Sequence, residues 1–214
     1  MKTKNKVLLI LTCMCLIVAT TVMATMAYLQ DTAEVVNTFT VGNVKLLLDE
    51  KDVNPDGTEI PGAARVTGNE YHLIPGLTYT KDPTVTVMKD SEECYVRMLV
   101  TINCKSALDT ILPGADLKTI FNDYNAVWEY ATETVNADTI TYEFRYATTV
   151  TPDGTNNSVL EPLFKSFTVP GTLDGEDLEK IKDLEITVVA HAIQAAGFTS
   201  EDAAWAEFVV QTQP

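Results

Sequence analysis

The stretch ECYVRMLVTINC, Glu93 to Cys104, alternates residue by residue. Cys94, Val96, Met98, Val100, Ile102 and Cys104 fall on one side. Glu93, Tyr95, Arg97, Thr101 and Asn103 fall on the other, with Leu99 the only apolar aliphatic among them. A period of two is the period of a strand, whose successive Cβ atoms point to opposite faces, so the segment predicts a strand with one face on a core. TITYEFRYA, Thr139–Ala147, repeats the pattern with Ile140, Tyr142, Phe144 and Tyr146 on one face and Thr141, Glu143 and Arg145 on the other. NTFTVGNVKLLL from Asn37, TVTVMK from Thr84, NAVWEYAT from Asn125, LFKSFTV from Leu163 and LEITVVAHAI from Leu184 are further strand-like runs. All are rich in the β-branched and aromatic residues that suit half-buried strands.

Turn chemistry separates these runs. Asn54-Pro55-Asp56-Gly57 and Thr151-Pro152-Asp153-Gly154 each place a Pro that presets φ, an Asp that bonds the local backbone and a Gly that takes positive φ. Pro-Gly pairs recur at Pro61, Pro75, Pro113 and Pro170. Three short helices are expected: Asp116–Tyr124, Gly175–Leu184 and Thr199–Phe208, the last with Thr199 or Ser200 as N-cap and acids in its first turn. Many short strands, Gly/Pro turns and few helices predict an all-β domain, an antiparallel β-sandwich of jelly-roll type with a few short peripheral helices.

The N-terminus is of a different kind. Lys2, Lys4 and Lys6 precede an uncharged apolar run from Val7 to about Ala27. That is the layout of an export signal, with small residues before a cut expected between Ala27 and Tyr28. The alternative is an uncleaved signal helix that anchors the chain, since about twenty residues can cross a bilayer. Thr20, Thr21 and Thr25 weaken that span. Cys13 and Cys15 follow Thr12 and Met14, so neither has the small residue before it that lipid attachment needs. Loss of the three signal lysines lowers the 15 basic residues to 12 against 30 acidic ones, a net charge of −18. Such a surface repels nucleic acid and anionic membrane, leaving the uncleaved signal as the route to a membrane. The closing VVQTQP carries no recognisable sorting signal.

Export makes a disulfide the first thought for Cys94 and Cys104. Ten residues of strand span about 33 Å, whereas a disulfide needs Cα atoms within about 7 Å. Free thiols are therefore expected, with an intermolecular crosslink as the alternative.

Four pieces in order carry a resemblance, all behind a signal ending in Met26-Ala27: the aromatic-acidic stretch after the cut and the Asn-Thr-Phe-Thr-x-Gly strand from Asn37, both within YLQDTAEVVNTFTVGNVKLLL; the Pro75-Gly76…Thr80-Lys81-Asp82 turn into a strand, within LIPGLTYTKDPTVTVMKDSEECYVRMLVTI; and the closing strand LEITVVAHAIQAAGFTSEDAAW with Gln194 leading to Trp205. Together they resemble the TasA/camelysin family of Gram-positive surface and biofilm-matrix proteins, exported through a dedicated signal peptidase. The stretch from about Lys105 to Thr168 carries none of the likeness. The resemblance implies a secreted jelly-roll domain in the extracellular matrix or at the cell surface, with itself as partner in a head-to-tail homopolymer and accessory matrix proteins besides. In such polymers an N-terminal segment adds as a strand to the next subunit, by backbone hydrogen bonds to an open sheet edge. Here Tyr28 to Val36 would be that donor strand, with Tyr28, Leu29, Val35 and Val36 filling pockets. The division expected is 1–27 signal peptide, 28–36 donor segment and 37–214 β-sandwich domain.

Camelysin-type members are described as metalloproteases, which raises an enzyme as the alternative; a monomeric adhesin on the same fold is a third reading. A zinc protease commonly carries His-Glu-x-x-His on one helical face. His72 and His191 are the two histidines here, and neither lies in such a motif. His191 alternates against Ile186, Val188, Ala190 and Ala192, so it is expected on the face away from the core. No nucleophile elbow appears, and the carboxylates are spread too widely to single out a pair. No catalytic residue, metal ligand or cofactor site is therefore expected. Asp52-x-Asn54-x-Asp56-Gly57 opens like a calcium loop, but Ala63 stands where the bidentate Glu belongs, so an acidic turn is expected. Trp128 and Trp205 are expected in the core or at its rim.

Overall fold

The structure is a computed structural model and describes residues 43–212, with side chains to 208. The signal, the cut at Ala27–Tyr28 and the segment Tyr28–Val36 lie outside the described residues. Among these residues ten strands lie in chain order: β1 Leu46–Asp49, β2 Thr78–Thr80, β3 Thr84–Val87, β4 Cys94–Ile102, β5 Phe121–Asn122, β6 Trp128–Val135, β7 Ile140–Tyr146, β8 Ser158–Val159, β9 Ser166–Thr168 and β10 Ile186–Gln194. They form three antiparallel sheets of order β1-β3-β8, β10-β4-β7-β6 and β2-β9-β5. Among the described residues three short helices accompany them: α1 Lys105–Ile111, α2 Gly175–Lys180 and α3 Glu201–Thr212. The expectation of a mostly β, antiparallel fold is met at this level. No described helix is long and apolar enough to cross a membrane.

The alternation in β4 does what it predicts. Cys94, Val96, Met98, Val100 and Ile102 are fully buried, and β7 meets them with Ile140, Tyr142 and Phe144. Val85 and Val87 of β3, Phe164 and Phe167 complete one core that draws on all three sheets. Burying a side chain of this size is worth about 1.5–3 kcal/mol, so this shared core is what holds the sheets together.

The ends of elements differ from the sequence reading. β4 stops at Ile102, and Cys104 is not on the strand: it has φ +54° and caps α1, half-buried against the core. Both thiols are free. Asp116–Tyr124, read as a helix, forms a single 3-10 turn over Leu117–Ile120, capped by Asp116 accepting from the Lys118 N–H at 3.0 Å. It breaks off because Phe121 and Asn122 pair with β9, and Phe121 stacks on buried Phe164 at 4.3 Å. Tertiary pairing overrides the local helical preference there. α2 starts as expected, through a capping box between Asp174 and Asp177, but ends at Lys180, short of Leu184. Ser200, not Thr199, caps α3, its Oγ accepting from the Ala203 N–H at 3.2 Å.

The turn readings hold. Gly57 N–H donates to the Asn54 carbonyl at 2.8 Å, and Gly57 takes φ +81°. Asp56 accepts from the Thr58 N–H at 3.0 Å and from its hydroxyl at 2.6 Å. Those bonds hold its carboxyl below the usual range. The calcium-like segment is thus a tight hairpin tip, with Val53 bridging Glu59.

Candidate functional site

Two strands of different sheets, β1 and β10, each have an edge that is unpaired among the described residues, and both border one groove. Among the described residues β1 pairs with β3 alone and β10 with β4 alone. Between them lies a groove of about 820 Å³. Leu48 of β1, Ile186 and Val188 of β10, and Leu178, Ile181 and Leu184 from α2 and the turn after it give it an apolar lining. The segment Thr67–Leu73 closes one side. An unpaired strand edge presents a row of N–H and C=O groups spaced for another strand, and an apolar wall beside it offers pockets to alternate side chains.

Polar groups fix the walls. Lys81 donates to Glu50 at 2.6 Å, both nearly buried, and Asn69 donates to the other Glu50 oxygen at 2.8 Å. Asn69 also accepts from the Val53 N–H at 3.0 Å, which ties the Thr67–Leu73 segment to the chain after β1. Arg65 bonds Asp49, Asp82 and Thr84, bracing the end of β1 against the start of β3. Tyr79, fully buried, donates its hydroxyl to the His72 carbonyl at 2.7 Å and accepts from the Ile74 N–H at 2.7 Å. Tyr71 stands edge-on to Tyr79 and Phe167 and donates to the Thr80 carbonyl at 3.0 Å. Burial first, then the Glu50 charge, push the Tyr71 hydroxyl above the usual range, so it stays a donor. These bonds tie the walls of the groove to the core and to one another.

The two histidines are not brought together. His72 borders the groove, exposed, with its N–H bonded to the Pro55 carbonyl. His191 faces away from the core as its alternation predicts, and it is half-buried there, with the Phe208 ring of α3 4.7 Å away. Arg97, on the β4 face opposite the core, is covered and only 6% exposed. The periodicity of β4 and β10 gives no hint of this cover, because it comes from α3, a separate element that follows β10 and lies about a hundred residues beyond β4. Trp205 is buried under it and Trp128 in the main core, as expected. Among the described residues no group of three or more His, Cys, Asp and Glu side chains is placed to hold a metal ion.

The groove itself escaped the sequence reading. Its two walls come from Leu48 and from residues 178–188, more than a hundred positions apart. What was legible was the short run of β1 and the mixed apolar pattern of Leu184–Val188. Comparisons with protein-family models, with curated proteins and with solved structures returned no match.

Proposed function

We propose that this chain is a secreted structural protein, a subunit of extracellular fibres, with the three sheets arranged as a jelly-roll sandwich. Tyr28 to Val36 of one copy pairs as a strand in the β1–β10 groove of the next. The observation that carries this reading is the groove bounded by two strand edges unpaired among the described residues. The resemblance of the chain to TasA/camelysin proteins supports it from the side of sequence, and the Greek-key-like placement of β10 beside β4 supports the jelly roll. A head-to-tail contact of this kind does not close on itself and so extends into a filament.

The energetics are adequate without being large. Leu29, Val35, Val36 and the ring of Tyr28 would each gain about 1.5–3 kcal/mol on full burial. Ordering a nine-residue segment costs roughly 1–2 kcal/mol per residue, which the new backbone hydrogen bonds must offset. Assembly is then slow and dependent on a well-matched groove.

Electron microscopy of the protein beginning at Tyr28 tests this. Filaments are expected from the intact chain. They are expected to vanish when Tyr28–Val36 is removed, and when Val188→Lys places a charge on the groove wall of a protein that still folds by circular dichroism. Filaments that persist in both variants, or none from the intact chain at any salt or pH, refute the proposal.

A further inference from the structure

The outer face of the β10-β4-β7-β6 sheet, opposite the main core, is partly covered by α3. Ala204, Trp205 and Phe208 pack there with Ile193, Tyr95 and Phe198 in a small second core. Beneath the helix lies a cation. The Arg97 guanidinium sits 4.3 Å from the Trp205 ring and 5.1 Å from the Phe208 ring. Arg97 and His191 are cross-strand partners, and Arg97 Nε donates to His191 Nδ1 at 3.3 Å. The His191 ring lies 4.7 Å from the Phe208 ring, tilted by 32°. A nitrogen that accepts from a guanidinium carries no proton, so His191 is neutral with its hydrogen on Nε2.

The charges around this pair come from three elements. β4 supplies Arg97. β7 supplies Glu143, which accepts from Arg97 at 3.2 Å and from Arg145 at 2.7 Å. α3 supplies Asp202, bonded to Arg145, and Glu201, which accepts from Trp205 Nε1 at 3.0 Å. Glu143 is thus committed to two arginines and has little left for a third cation. Phe208 offers an imidazolium one cation–π contact, but that ring already serves Arg97.

We propose that His191 is an acid-sensitive latch for α3: protonation at Nδ1 removes the acceptor of Arg97, sets two cations side by side under Phe208, and releases the helix from the sheet. Release uncovers Tyr95 and Ile193 together with Arg97, so acid exposes a part of the sheet's outer face that α3 covers at neutral pH. Burial first, then the Arg97 charge, hold His191 below the usual imidazole range, against the pull of Glu143. The sign follows. The docked helix disfavours the protonated ring, so docking is at full strength above the free imidazole value of about 6.5. As pH falls below that value docking weakens by up to tenfold per pH unit, until the docked ring itself takes up a proton.

Hydrogen exchange of the intact protein at pH 7.5 and pH 5.0, with rates normalised for intrinsic exchange, reads the latch directly. Protection of the Glu201–Thr212 amides is expected to fall at the lower pH, by at most about tenfold for each pH unit below 6.5, while β4 and β7 stay protected. His191→Gln, whose carbonyl can accept from Arg97 without titrating, is expected to abolish the drop. An equal drop in that variant assigns the effect to Glu143, Glu201 and Asp202 and overturns the proposal, as does the absence of any drop in the unaltered protein. A titration of the His191 imidazole resonance needs no variant: a midpoint at or above about 6.5 also overturns it.

Discussion

Gly57 offers a sharp test of how the hairpin before the groove is held. Its φ of +81° lies in the left-handed region, and a Cβ there would stand 2.7 Å from Tyr79 Cα and 2.8 Å from Tyr79 Cδ1. Gly62, nearby, has φ +76° and nothing within 4 Å of the same position. Alanine at either site incurs the left-handed penalty of about 1–2 kcal/mol. At Gly57 a steric cost is added, and the atom in the way is backbone. Tyr79 cannot step aside cheaply: it is fully buried, its hydroxyl is bonded at both ends, and its ring stacks on Phe167 at 5.1 Å. Overpacking of this type costs about 1–3 kcal/mol. Gly57→Ala is therefore expected to lose about 2–5 kcal/mol and Gly62→Ala about 1–2 kcal/mol. Urea unfolding followed by circular dichroism measures both, with unchanged slopes as the check that the unfolded states are comparable. Equal losses would refute the reasoning, because they would leave only the backbone term and remove Tyr79 from the account.

Two further outcomes follow from buried groups. Lys81→Met leaves Glu50 buried with Asn69 as its remaining partner, and a loss of about 3–5 kcal/mol is expected; the double change with Glu50→Leu should recover much of it in the same urea assay. Burial and then the Glu93 charge push the Cys94 thiol up to about 11, whereas Cys104 is half-exposed at the start of α1. A thiol reagent at pH 8 is therefore expected to label Cys104 in the folded protein well before Cys94, as read by mass spectrometry of the two peptides, and comparable labelling rates would contradict the placement of Cys94 in the core.

The strand cores were legible in the sequence because alternation is a local signal. Cys94 to Ile102 and Ile140 to Tyr146 each carry their own facing, and the register between them follows once both faces are known. The Pro-Asp-Gly turns were legible for the same reason, since Gly57 and Gly154 need no distant partner to take positive φ. What was not legible depends on residues far apart. Phe121 becomes a strand because Phe167 is there to pair with it. Arg97 reads as lying opposite the core, with no sign in β4 that Trp205 and Phe208 close over it. Lys105–Ile111 forms a helix that begins where Cys104 turns left-handed, and no N-cap side chain announces it. The groove is the extreme case, since both of its walls look like ordinary strand ends when read alone.

The edges of the main sheet and of β1 that are unpaired among the described residues are not guarded alike. β6 is exposed from Glu129 to Val135, yet it carries Glu129 and Glu133, a register shift between Tyr130 and Thr132, and Lys118 lying 4.6 Å over the Tyr130 ring and bonded to Glu133. Charge, a bulge and a covering lysine are the devices by which natural sheets discourage edge pairing. β1 and β10 instead turn Leu48, Ile186 and Val188 into the groove. Charge does not recruit an occupant there. The groove is bordered by Asp49, Glu50, Glu70, Glu179 and Glu185 against Lys81 and Lys182, and both lysines are already paired. Asp31 and Glu34 of the proposed donor would meet that negative rim in a protein of high negative charge overall. On the strand-donation reading, electrostatics therefore opposes encounter, and backbone pairing with apolar burial must supply the whole of the binding. That division makes the contact selective for a segment with apolar residues at alternate positions, and it makes the shape of the β1–β10 groove, rather than its charge, the feature that decides whether subunits join.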